Sequence, residues 1–159
     1  MYKINGLKQS LRLPVIGAPM FTISNPNLVI SQCKSGIIGS FPALNAREPE
    51  DLDKWIKEIK SALLDFEKNN PDKKAAPFAV NQICHKSNIR LYRDLETCVK
   101  HEVPIIISSV GAPNEIVDTV HSYGGKVFHD VINIKHAKSL VWESEKCKSG
   151  KWKYDDFQF

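Results

Sequence analysis

The sequence predicts an α/β fold built on a parallel sheet, and three observations predict it. Short apolar runs alternate with segments of helical period along the chain. No hairpin turn joins neighbouring runs, and several runs are near-continuously apolar, as strands buried on both faces are. About five βα units can be laid out. Two architectures remain open: a doubly wound sheet or a (β/α)8 barrel. At 159 residues the chain falls short of the ~250 of a typical barrel, so a barrel would be incomplete.

The elements follow in order. Val15–Met20 is predicted as a first strand, stopped by the turn Gly17-Ala18-Pro19-Met20. Gly17 permits close approach to the backbone, and Pro19 fixes the turn and removes a donor. Asn25-Pro26 opens a helix through Leu28, Val29, Ile30 and Cys33, with Pro26 at a favoured first-turn position, and Ser35-Gly36 ends it. Ile37–Phe41 is a second strand. Its Gly39 implies a close packing contact or a ligand above it. Glu48-Pro49-Glu50-Asp51 opens the clearest helix, with acidic residues complementing its dipole. Leu52, Trp55, Ile56, Ile59, Leu63 and Phe66 recur at spacings of three and four and form one face, which packs on the sheet.

Pro77–Ile83 is a third strand that ends in polar residues. Asn88–His101 is a helix with Ile89, Leu91, Tyr92, Leu95 and Val99 as inward positions. Pro104–Val110, rich in β-branched residues, is a fourth strand. Gly111-Ala112-Pro113-Asn114-Glu115 leads into a helix ending at Tyr123-Gly124-Gly125. Lys126–Val131 is a fifth strand, and a helix is expected from Ile134 to about Ser144.

Composition narrows the function classes. Hydrophobic residues make up 42% and charged residues 25% of the chain, a globular balance. The net charge of +4 is mild, and Lys and Arg form no stripe interleaved with aromatics, so no nucleic-acid partner is expected. Cys33, Cys84, Cys98 and Cys147 are far apart, with no CxxC pair and no Cys–His spacing for zinc. Reduced thiols, no metal and a cytoplasmic location are expected. No signal-peptide core opens the chain and no apolar run approaches the ~20 residues of a membrane span, so no membrane partner is expected. His85, His101, His121 and His136 carry no partner signal and read as helix or loop histidines.

Four segments carry a family resemblance: Leu13-Pro14-Val15-Ile16-Gly17-Ala18-Pro19-Met20, Gly36-Ile37-Ile38-Gly39-Ser40, Pro77-Phe78-Ala79-Val80-Asn81, and Gly125-Lys126-Val127-Phe128-His129-Asp130-Val131 with His136-Ala137 after it. As a set, in this order and spacing, they resemble the nitronate monooxygenase family, formerly called 2-nitropropane dioxygenases. The likeness covers residues ~10–140; any one motif alone is weak. It implies an FMN-dependent (β/α)8 barrel of which residues 1–138 form the N-terminal part, a nitronate-like small-molecule substrate, and oxidation with O2.

The resemblance also implies roles. Ala18, Pro19 and Met20 match the first strand-end loop, whose backbone lies against the flavin. Asn81 matches the amide that hydrogen-bonds the isoalloxazine ring, and His129 and Asp130 match positions near its ribityl and ring edge. Some members carry Lys where this chain has Asp130. Taken alone, Asn81 reads as a turn-forming residue and His129 as a core histidine bonded to a carbonyl. A flavin asks for a flat apolar platform plus donors and acceptors, and an amide supplies both.

The family's sixth-strand Gly-Gly-His motif and its phosphate-binding loops have no counterpart here, so no catalytic residue is named. Residues 139–159 diverge, which implies a frameshift or early stop, or else an extension that packs Trp142, Trp152 and Phe157 over the sheet edge. An incomplete barrel has open edges, so instability or self-association through them is expected. Two further readings stand beside the first: an FMN barrel that reduces enoyl thioesters with NAD(P)H, and a non-catalytic fragment or interaction module.

Overall fold

The computed structural model describes residue 7 and residues 11–48, 50–110 and 114–135. The chain divides into two compact units, Met1–His129 and Asp130–Phe159. In the second, the described residues 130–135 are exposed and reach the start of a helix at residue 134. The rest of the helix predicted to about Ser144, and the tail 139–159, lie outside the described residues.

The first unit carries four parallel strands: β1 (Gly39–Pro42), β2 (Phe78–Ile83), β3 (Ile105–Ser109) and β4 (Lys126–His129), in the spatial order β1-β2-β3-β4. Helices α1 (Pro26–Lys34), α2 (Asp51–Asn69), α3 (Leu91–Lys100) and α4 (Asn114–Ser122) alternate with them. All three ladders are parallel, with Phe41 opposite Val80, Val80 opposite Ile106 and Ile106 opposite Val127. The predicted α/β architecture is present.

The predicted first strand is reduced to one parallel bridge, Ile16 with Ile38. Ile38 N–H donates to Val15 O at 3.0 Å and Gly17 N–H to Ile38 O at 2.8 Å. Beyond them, the Gly17 carbonyl accepts from the Ser40 hydroxyl, and Pro19 has no N–H to add. The ladder stops there, and Leu13, Val15 and Ile16 stay exposed.

Local chemistry sets the helix ends. Asn25 caps α1, its Oδ1 accepting from Leu28 N–H at 3.0 Å, and Pro26 follows at the first turn. Gly36, at φ +87°, ends that helix in the left-handed conformation. Asp51 accepts from Glu48 N–H at 3.0 Å at the start of α2. On α2, Leu52, Ile56, Ile59 and Leu63 are buried, and Trp55 and Phe66 pack against them half-buried. Burying one such aliphatic side chain contributes about 1.5–3 kcal/mol, whereas the solvent-screened Lys54–Asp51 and Lys57–Asp53 pairs contribute far less. Packing, not surface charge, fixes this helix.

On α3 the predicted inward face is corrected in part. Leu95 is buried as predicted, with Leu91 and Val99 half-buried against the core, but Tyr92 and Ile89, which precedes the helix, are exposed, and Asp94 and Cys98 are buried in addition. Asp94 tolerates burial because Arg90, one turn earlier, pairs with it at 3.2 Å.

The sheet has two unlike faces. Phe41, Phe78, Val80 and Ile106 join the helices in a large buried cluster. Ile38, Ala79 and Ile105 form a small cluster on the other face, with Leu7, Leu11, Ile107 and Phe128 packed against it half-buried. Gly39 explains how α1 sits so close: a Cβ there would lie 2.5 Å from Val29 O and 3.0 Å from Val29 Cα. Of the two readings of this glycine, the structure shows the packing contact.

Candidate functional site

In parallel α/β sheets ligands gather at the carboxyl ends of the strands, where successive βα loops converge. Here that end carries the 17–24 loop after the Ile16 bridge, the turn after β1, Asn81 on β2, Ser109 on β3 and His129 on β4.

The loop holding Ala18, Pro19 and Met20 is tied at both ends. Gly17 is fixed by Ile38 O and Ser40 Oγ. Its missing side chain makes room for Gln32, whose amide nitrogen would lie 2.3 Å from a Cβ, so the close approach comes from α1. Met20 N–H donates to Ser24 Oγ at 3.0 Å, and Met20 O accepts from Ser24 N–H at 3.0 Å and Ile23 N–H at 3.3 Å. Ala18 and Met20 are exposed and Pro19 is half-buried.

Asn81 is buried on the inner face, two residues beyond Ala79. Its Nδ2 donates to Ile107 O at 3.0 Å and Ser109 Oγ at 2.8 Å. Both donor hydrogens are thereby committed to β3. Its Oδ1 accepts no hydrogen bond among the described residues.

His129 points the other way. Strand alternation puts Phe128 on the inner face and His129 with Val127 on the helix-facing side. There His129 Nδ1 lies 2.7 Å from Ser108 Oγ, its register partner. Asp130 is the first residue of the second unit and is exposed. The structure thus brings the Ala18–Met20 loop and Asn81 to one end of the sheet, and places His129 at that end on the opposite face.

Behind β2 the helix-facing side holds inert groups. Gln82 Nε2 contacts Cys98 Sγ at 3.5 Å. Burial pushes the Cys98 thiol up to about 12, and burial likewise pushes Cys33 up to about 12. At neutral pH neither is a thiolate nucleophile. Burial also raises the Asp94 carboxyl above its ordinary value, with Arg90 opposing the shift. Among the described residues no three His, Cys, Asp or Glu side chains come together as a metal site. None of the helices described is long and apolar enough to cross a membrane.

Three residues at this end escape sequence reasoning. Asn45, Ser40 and Ser109 bond Met20–Ser24, Gly17 and Asn81 respectively. Asn45 lies in the short 3-10 turn Ala43–Asn45 and is buried. Its burial is the telling property, since a buried amide must find partners, and burial is invisible in the sequence. His101, read as partnerless, lies 2.7 Å from Asp53 Oδ1.

No family model matches this chain, and no curated protein matches it. Solved structures do. The structure of FabK from Thermotoga maritima superposes with a TM-score of 0.68 at 22% identity, covering 90% of this chain and 40% of that one. A mutant of the same protein gives 0.67 at 22% identity, covering 90% and 42%. The chain therefore spans less than half the length of these structures and has the α/β fold of part of a (β/α)8 barrel.

Proposed function

We propose that this chain forms part of the flavin-facing wall of an FMN-dependent oxidoreductase barrel of the nitronate monooxygenase type, acting on a nitronate-like small molecule. The observation that carries the reading is Asn81. Its amide is buried at the carboxyl end of β2, with both donors tied to β3 and its acceptor oxygen unclaimed among the described residues. An amide fixed as an acceptor suits the imide N–H of an isoalloxazine ring. The residues present fit the group in this respect. Asn81 would hold the ring's polar edge, and the Ala18–Pro19–Met20 backbone would back its plane.

When bound, FMN supplies the electron transfer between a nitronate and O2. The chain's own part is orientation. Asn81 holds one acceptor in place, Ser40 and Ile38 fix the start of the 17–24 loop, and Met20 offers an apolar side chain. His129, at the end of β4, completes the proposed contact set within Met1–His129. With its imidazole bonded to Ser108 on the helix-facing side, His129 would act from its backbone. An FMN barrel that reduces enoyl thioesters with NAD(P)H fits the likeness to the FabK structures equally well.

Titration of FMN into the chain, followed by flavin fluorescence and visible absorption, tests the reading. Quenching with a saturable curve is expected, and Asn81→Ala should weaken it by about tenfold, the worth of one buried hydrogen bond. No spectral change at high protein concentration would overturn flavin binding by this chain. Consumption of nitronate with O2, against consumption of NAD(P)H with an enoyl thioester, separates the two chemistries.

A further inference from the structure

We infer that Asn45 is a positioning residue for the loop that backs the flavin; this deepens, and rests on, the flavin reading above. Asn45 Nδ2 donates to Met20 O at 3.0 Å and Ser24 O at 2.8 Å, and Asn45 Oδ1 accepts from Thr22 N–H at 3.1 Å. Both donor hydrogens and the acceptor oxygen of one buried side chain are spent on a single five-residue turn. That turn already closes itself, through Met20 N–H to Ser24 Oγ and through Ile23 and Ser24 N–H to Met20 O. Asn45 therefore adds something the turn's own bonds do not: it sets where the turn stands relative to β1.

Two observations extend the argument. Thr22, whose N–H donates to Asn45 Oδ1, is held at φ +62°, a conformation a β-branched residue rarely adopts. The bond to Asn45 opposes relaxation of that strain. The Arg47 guanidinium lies 5.0 Å from the Phe21 ring centroid, and Arg90 Nη1 donates to Arg47 O at 3.4 Å. The turn after β1 thus holds the preceding loop by its backbone and by one aromatic ring, and is itself held from the start of α3. A displacement at Asn45 would shift Ala18–Met20 as a body, while Asn81 stays in its own bonds to β3.

The test uses the full chain with FMN as the probe. In Asn45→Ala the FMN dissociation constant is expected to rise by about tenfold, with altered shape of the flavin's visible band and faster hydrogen exchange at the Thr22 amide. Far-UV circular dichroism and cooperative unfolding should persist. Asn45→Asp keeps the acceptor but sets a carboxylate against two carbonyls, and should weaken FMN at least as much. Phe21→Ala, at an exposed position, loosens only the outer tie and should weaken FMN several-fold even where the Asn45 variants fail to fold. Affinity and visible band unchanged in folded Asn45→Ala, or in Phe21→Ala should the Asn45 variants not fold, would overturn the inference alone. A wild-type chain that leaves the FMN spectrum untouched would overturn the flavin reading and this inference with it.

Discussion

Ile106 and Ile107 are neighbours on β3 and face opposite ways. Ile106 is fully buried in the cluster that joins the sheet to its helices, with Phe41, Val80 and Leu95. Ile107 is half-buried beside Phe128 on the inner face, and its carbonyl accepts from Asn81. The helix-facing side is dense and carries the stability. The inner side has a thin apolar layer and puts its polar groups, Ser40, Asn81 and Ser109, at the carboxyl end. One strand thus serves two purposes, separated only by residue parity.

The largest test of this difference is a pair of truncations. Ile106→Ala should destabilise the fold by about 2–5 kcal/mol, and Ile107→Ala by about 1 kcal/mol, because less of its surface leaves water. Chemical denaturation measures both. Equal losses would mean that the inner face is covered in solution. Self-association through the open sheet edges, proposed from the sequence, would cover it, and sedimentation velocity would show the larger species.

A second contrast concerns two carboxylates. Burial raises Asp94 above the ordinary carboxylate value, so the folded chain holds that proton more tightly than the unfolded one. Its contribution is fully present below the unfolded value of ~3.9 and is lost as pH rises from there through the raised folded value. Asp53 is the reverse. Hydrogen bonds from Lys57, His101 and Lys100 hold it well below the usual range, so its contribution is present above ~3.9 and is lost as pH falls towards the lowered value. Thermal midpoints across acidic to neutral pH should show Asp94→Asn gaining on the wild type as pH rises. Asp53→Asn should gain on it as pH falls. The same sign for both would break the contrast.

The smallest effect sits at the carboxyl end of β3. Val110 holds φ +57° and is largely exposed. Val110→Gly should raise stability by about 0.5–1 kcal/mol, relief of left-handed strain partly offset by glycine's added freedom in the unfolded chain. A fall in thermal midpoint would show that Val110 packs against more than the described residues.

How much of this was legible depends on the kind of signal. Helix α2 could be read because Leu52, Ile56, Ile59 and Leu63 sit at helical spacing and nothing competes with their burial. The inward face of α3 could be read only in part: Leu91, Leu95 and Val99 do turn to the core, whereas Ile89 and Tyr92 do not. Residue type favoured Ile89 and Tyr92, whereas tertiary packing buries Asp94 beside Arg90 and Cys98 beside Gln82. The first strand was overread for a related reason: Leu13, Val15 and Ile16 are apolar, yet pairing stops where Ser40 takes the Gly17 carbonyl. At the candidate site, the position of Asn81 follows from where its strand ends. The hold of Asn45 on Met20–Ser24 spans more than twenty residues of chain and follows from no local pattern. The face taken by His129 turns on register, where one residue reverses the answer.

Leu7 and Leu11 pack against Ile38, Ala79 and Ile105, at the amino ends of the strands. The inner face therefore has a floor. Apolar side chains from outside the sheet close over the beginnings of the strands, while the polar groups Ser40, Asn81 and Ser109 stand at the opposite end of the same face, so the two ends of one surface differ in chemistry as well as in cover.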